Sequence, residues 1–88
     1  MIELPLTALR NGEIGIVSSI ITGYGRGRGR GLRYVRRLMD MGLTPGTEVL
    51  VVKSAPFHGP LEISVKGSRL ALGRGMAERI LVVRKKSA

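Results

Sequence analysis

No cysteine occurs in the chain, which excludes disulfides, thiolate catalysis and cysteine-based zinc or iron–sulfur sites. Histidine occurs once, as His58, and the six carboxylates (Glu3, Glu13, Asp40, Glu48, Glu62, Glu78) are scattered. A ferrous ion takes several converging imidazole and carboxylate ligands, so no metal site is expected, and His58 with Glu62 offers at most a weak pair. A hydrolytic serine needs a base, and no spacing presents His58 to one; no catalytic residue is expected. Tryptophan is absent and the aromatics are Tyr24, Tyr34 and Phe57 alone, too few for a proline-peptide groove lined with rings. No apolar run approaches the ~18 residues of a spanning helix, and the N-terminus lacks a charged segment followed by a secretory apolar core. A cytoplasmic protein is the expectation.

Glycine, by contrast, is plentiful, but not in a nucleotide-binding pattern. In Gly-x-Gly-x-x-Gly read from Gly23, the last position is Arg28, and Lys66-Gly67-Ser68 has the wrong order for a phosphate-binding loop. Neither a cofactor nor GTP is expected to bind.

Charge is present in excess of one sign. Fifteen Lys and Arg against six Asp and Glu give a formal net charge of +9 on 88 residues, a field that attracts something anionic. Arg26, Arg28, Arg30, Arg33, Arg36 and Arg37 lie in one stretch, and Arg84, Lys85 and Lys86 form a terminal cluster. Nucleic acid, an acidic protein face and an anionic membrane surface all satisfy such a field. Leu, Ile and Val number 11, 7 and 8. Full burial of each is worth roughly 1.5–3 kcal/mol, sufficient for one compact domain over residues 1–88.

The spacing predicts a mainly β domain. Ile2–Leu4 reads as a short strand, Pro5–Leu9 as a turn leading to Asn11-Gly12, and the β-branched run Ile14–Ile21 as a strand. Gly15 within it signals a bulge or a close backbone approach. Residues 22–31 alternate Gly23, Gly25, Gly27, Gly29 and Gly31 with Tyr24 and three arginines, which predicts a mobile loop. Leu32, Val35, Leu38 and Met39 recur at helical spacing, with Arg33, Arg36, Arg37 and Asp40 mostly on the other side. Asp40 is placed to pair with Arg36 or Arg37.

The chain is organised around that helix end. Gly42 is where a left-handed closing residue is needed, which puts Leu38 and Leu43 in contact across the cap. Pro45 and Gly46 fit the centre of a type II turn from Thr44 to Thr47. A strand Glu48–Lys53 follows, then Pro56-Phe57-His58-Gly59-Pro60 as a loop. Leu61–Lys66 alternates strictly, Gly67-Ser68 turns the chain, and Leu70 and Leu72 continue it. A short turn over Gly75–Glu78 leads to a last strand, Ile80–Val83, and residues 85–88 form a solvated basic tail. Five to six short antiparallel strands with one short helix describe a small barrel.

Several of these residues form a pattern: Leu4 with Leu9 and Gly12, Arg37-Leu38-x-x-Met41-Gly42-Leu43-x-Pro45-Gly46, Val49 to Ala55-Pro56, Gly59-Pro60, Leu70-Ala71-Leu72 and Ala77-x-x-Ile80-x-Val82. From Leu4 to Val83 this resembles the FeoA family. The resemblance implies an SH3-like barrel and a cytoplasmic accessory of ferrous iron uptake. It also implies a FeoB-type membrane transporter with a GTPase domain as partner, with the accessory at the inner face of the membrane. The Arg-Gly loop is longer and more basic than the family pattern. Arg26, Arg28, Arg30, Arg33 and Arg37 are the expected partner-binding residues, for an acidic protein or anionic lipid surface. Leu38, Gly42, Leu43, Pro45 and Gly46 are the expected framework. The alternative is a nucleic-acid-binding barrel, since Arg26–Gly31 resembles backbone-tracking Arg-Gly segments and Gly12-Glu13-Ile14-Gly15-Ile16-Val17 matches the short KOW glycine pattern.

Overall fold

Runs of β-branched residues and leucine, alternating in burial with a period of two, pair edge to edge in this chain and bury one face. The computed structural model describes residues 2–21 and 35–85. The strands are β1 (Glu3–Pro5), β2 (Ile14–Ile20), β3 (Glu48–Ser54), β4 (Leu61–Val65), β5 (Ser68–Leu72) and β6 (Ile80–Arg84). Residues 35–40 are helical (α1), α2 is Arg74–Glu78, and a 3-10 turn covers Leu6–Ala8. The strands form one six-strand antiparallel sheet in the order β1-β6-β2-β3-β4-β5.

The core is wholly apolar: among the described residues no polar or charged side chain is buried. β2 contributes Val17, β3 Val49 and Val51, β4 Leu61, Ile63 and Val65, and β6 Ile80 and Val82. Leu72 of β5 joins them, and Leu6 and Leu9, on and after the 3-10 turn, with Leu38, Leu43 and Ala77 complete it from the connecting segments. Strict alternation in β4 is seen as predicted, with Leu61, Ile63 and Val65 buried and Glu62 and Ser64 only partly so. Gly15 is a close approach rather than a bulge. A Cβ there would lie 2.8 Å from Leu9 Cδ1 and 2.8 Å from Val82 Cγ2. The irregularity in β2 comes three residues later, at Ser18, where the register against β6 shifts.

The helix-to-strand corner forms as its sequence predicts. Gly42 has φ +99°. The Leu43 N–H donates to Leu38 O at 2.9 Å and the Gly42 N–H to Met39 O at 2.9 Å, the two bonds of a Schellman cap. Leu38 and Leu43, which flank the cap, are both buried. Gly46 has φ +91°, and the Thr47 N–H donates to Thr44 O at 3.0 Å, closing the type II turn. The Gly46 N–H then donates to Val17 O at 2.7 Å, tying the corner to β2.

Four local readings differ from expectation. Met39 is 42% exposed rather than on the core face, so within 35–40 only Leu38 is fully buried. The β4–β5 reversal is centred on Lys66 and Gly67, at φ +50° and +82°, one residue earlier than Gly67-Ser68. It is the left-handed pair a two-residue hairpin requires. The segment predicted as a turn at Gly75–Glu78 is helix α2, because burying Ala77 against the 3-10 turn outweighs the low helix propensity of Gly75. Lys85 is not part of a loose tail. Its N–H donates to Ile14 O at 2.8 Å and its Nζ lies 2.8 Å from Glu48.

Candidate interaction surface

Two exposed features stand out among the described residues: the outer side of α1 and the end of the sheet where β3 turns into β4. On α1, Arg36, Arg37 and Asp40 are exposed. Among the described residues no acidic side chain pairs with either arginine, so the expected Asp40 bridge does not form. An exposed pair of this kind gains little, and both guanidinium groups remain open to a partner. Of the expected partner-binding residues, Arg37 is thus exposed beside the Schellman corner. Arg26, Arg28, Arg30 and Arg33 lie outside the described residues, as do the rest of the predicted 22–31 loop and residues 86–88. The framework residues Leu38, Gly42, Leu43, Pro45 and Gly46 occupy the corner that holds this helix against the sheet.

At the other feature, Pro56-Phe57-His58-Gly59 reverses the chain between β3 and β4. Phe57 and His58 both have positive φ, +57° and +59°. The Gly59 N–H donates to Pro56 O at 3.1 Å, and the Ala55 N–H donates to Pro60 O at 3.1 Å. Two side chains with a Cβ in the left-handed region carry strain of order 1 kcal/mol or more each. Phe57 is 96% exposed. The sequence predicts a loop at Phe57 but not this conformation, for which the signal is the frame of Pro56, Gly59 and Pro60 around a lone aromatic.

Neighbouring loops brace the tip. The Ser54 N–H donates to Asn11 Oδ1 at 3.0 Å, and Arg74 donates to Ser54 Oγ at 2.9 Å. In the adjoining turn, the Arg10 N–H donates to Glu13 Oε1 at 2.7 Å. That bond, with the Arg84 guanidinium 2.8 Å away, holds the Glu13 carboxyl below the usual carboxylate range against the opposing effect of partial burial.

Among the described residues no three His, Cys, Asp or Glu side chains come together as a metal site. His58 is exposed on the tip, and Glu62 faces Arg69 at 3.5 Å. No helix among the described residues is long and apolar enough to cross a membrane.

Comparison with known proteins decides the family, because the FeoA domain model matches residues 4–84. The chain belongs to the FeoA family. A relative in Methanocaldococcus jannaschii, whose name assigns it provisionally as Fe(2+) transport protein A, is 37% identical over 78 residues, covering 89% of this chain and 83% of that protein. The crystal structure of an iron uptake regulatory protein, FeoA, is 36% identical with a TM-score of 0.76 and covers 97% of this chain and all of that one. FeoA of Stenotrophomonas maltophilia, solved with zinc and described as an SH3 domain protein, is 28% identical, with a TM-score of 0.72 over 89% of this chain and 87% of that one. The six-strand sheet is therefore the SH3-like fold of FeoA proteins.

Proposed function

We propose that this FeoA chain is a cytoplasmic accessory of ferrous iron uptake that binds a FeoB-type membrane transporter and modulates it by contact. Family membership carries the reading. The described residues add a rigid corner that presents unpaired arginines, on a chain whose net charge is +9. Contact rather than chemistry fits this surface: the sheet supplies a fixed platform, and the basic residues Arg26, Arg28, Arg30, Arg33 and Arg37 steer it to an acidic cytoplasmic face. With its partner in the bilayer, the accessory works at the inner face of the membrane.

Purified transporter titrated with the chain provides the test. Binding is expected at low ionic strength, weakening as salt rises because exposed charges are screened beyond about 8–10 Å. Arg37→Glu is expected to slow association while leaving the free energy of unfolding within about 0.5 kcal/mol of the parent. Absence of binding at low salt would contradict the reading.

A further inference from the structure

The hairpin tip is built in a way the accessory reading does not use. Phe57 is the most exposed large apolar side chain among the described residues, at 96% against 75% for Ile2 and 42% for Met39. It is held out on a left-handed backbone that asparagine and glycine would occupy with less strain. Strain retained at an exposed site points to use.

The tip is also unusually dry in its own chemistry. Pro56 and Pro60 have no N–H, and the amides of Ala55 and Gly59 are bonded within the hairpin. Residues 56–60 contain no Lys, Arg, Asp or Glu. Moving this segment into a medium of low polarity therefore leaves few donors unsatisfied and strips no fixed charge of water.

Positive charge surrounds it. The hydrogen bond from Ser54 to Asn11 sets the Arg10 turn beside the base of the hairpin, and Arg74 is bonded to that base. Among the described residues neither Arg10 nor Arg74 forms an ion pair with a carboxylate, though Glu13 lies close enough to feel the Arg10 charge, and Arg74 Nε is buried without a hydrogen-bond partner. Strand registers bring Ile2 to the same end of the sheet, since Glu3 pairs with Val83, and Gly15, at the start of β2, pairs with Arg84.

We propose that this end of the sheet docks on an anionic lipid bilayer, with Phe57 entering the interface, the exposed Arg10 facing the headgroups and the half-buried Arg74 adding its charge at the base. One apolar anchor together with a basic patch is the pair of signals that reversible membrane attachment requires. A fluid interface asks for no directional hydrogen bonds, and the donors the tip offers are few, the Phe57 and His58 N–H groups and the His58 imidazole, whereas a protein interface carries about one hydrogen bond per 100–200 Å2. The inference shares with the accessory reading only its setting at a membrane. Its test uses lipid alone, so either can fail while the other stands.

The chain has no tryptophan, so Phe57→Trp places a single reporter at the tip. With phosphatidylglycerol-containing vesicles its emission is expected to shift to the blue and to be quenched by brominated acyl chains. Pure phosphatidylcholine should give neither effect. The double variant Phe57→Asn with His58→Gly installs the pair that such a turn favours. It is expected to unfold at a higher temperature than the parent and to bind the anionic vesicles about tenfold more weakly, equivalent to ~1.4 kcal/mol. Unchanged binding by the double variant would overturn the proposal, leaving only the basic field at work. A tryptophan shift seen with detergent-solubilised transporter but not with vesicles would overturn it in favour of a protein pocket.

Discussion

Gly15→Ala lowers the unfolding midpoint by ~10–20 °C, the shift expected for an 88-residue domain losing on the order of 2–3 kcal/mol. Backbone conformation is not the cause, since Gly15 is not among the residues with positive φ. The cost is steric. The added methyl would sit 2.8 Å from Leu9 Cδ1, 2.8 Å from Val82 Cγ2 and 2.9 Å from Val82 Cβ, where carbon atoms prefer about 3.5–4.0 Å. The end of Leu9 can swing, but it is itself buried. Val82 Cβ cannot retreat without moving β6, which is paired with both β1 and β2. Two strands must therefore separate or the register must give. Thermal melts followed by circular dichroism check this, and a midpoint within about 2 °C of the parent would show that β2 and β6 do not pack this closely.

Leu43→Ala has an effect at least as large, about 3–4 kcal/mol in a urea titration. Leu43 is fully buried and sits immediately after the left-handed glycine. Removing its side chain both opens a cavity in the core and takes away the apolar contact that accompanies a Schellman cap. Leu38→Ala acts on the same contact, so the two changes are expected to be non-additive by about 0.5–3 kcal/mol. Met39→Ala, one residue away but half in solvent, is expected to fall within about 0.5 kcal/mol of the parent. Equal losses at Met39 and Leu43 would mean that α1 is rotated from the orientation described.

Which parts of this architecture could be read from the residues follows from how local their causes are. The Gly42 cap, the Pro45-Gly46 turn and the β4 alternation each depend on a few adjacent residues, and all three are seen. Met39 was misplaced because Leu38 and Met39 are consecutive apolar residues, and periodicity over six described helical residues does not choose which one faces inward. Helix α2 was hidden by Gly73 and Gly75, whose weak propensity is overridden by the packing of Ala77, a contact between residues far apart in sequence. The Lys66-Gly67 centre is a one-residue displacement set by pairing of Val65 with Ser68. The exposed Phe57 was the largest omission at the candidate surface. Propensity gives no reason for Phe and His to take positive φ side by side, and only the assembled hairpin with its Asn11 and Arg74 braces shows that they do.

Membership of the FeoA family and the basic surface support the proposal that ferrous iron transport depends on this chain through contact with the transporter. Uptake of radiolabelled ferrous iron by cells carrying the transporter, with the chain present, deleted, or replaced by Arg37→Glu, measures it most directly. The account predicts reduced uptake on deletion, and an intermediate rate for the folded Arg37→Glu variant, because the charge is reversed at only one position of a larger basic surface. Uptake that is the same in all three would contradict it.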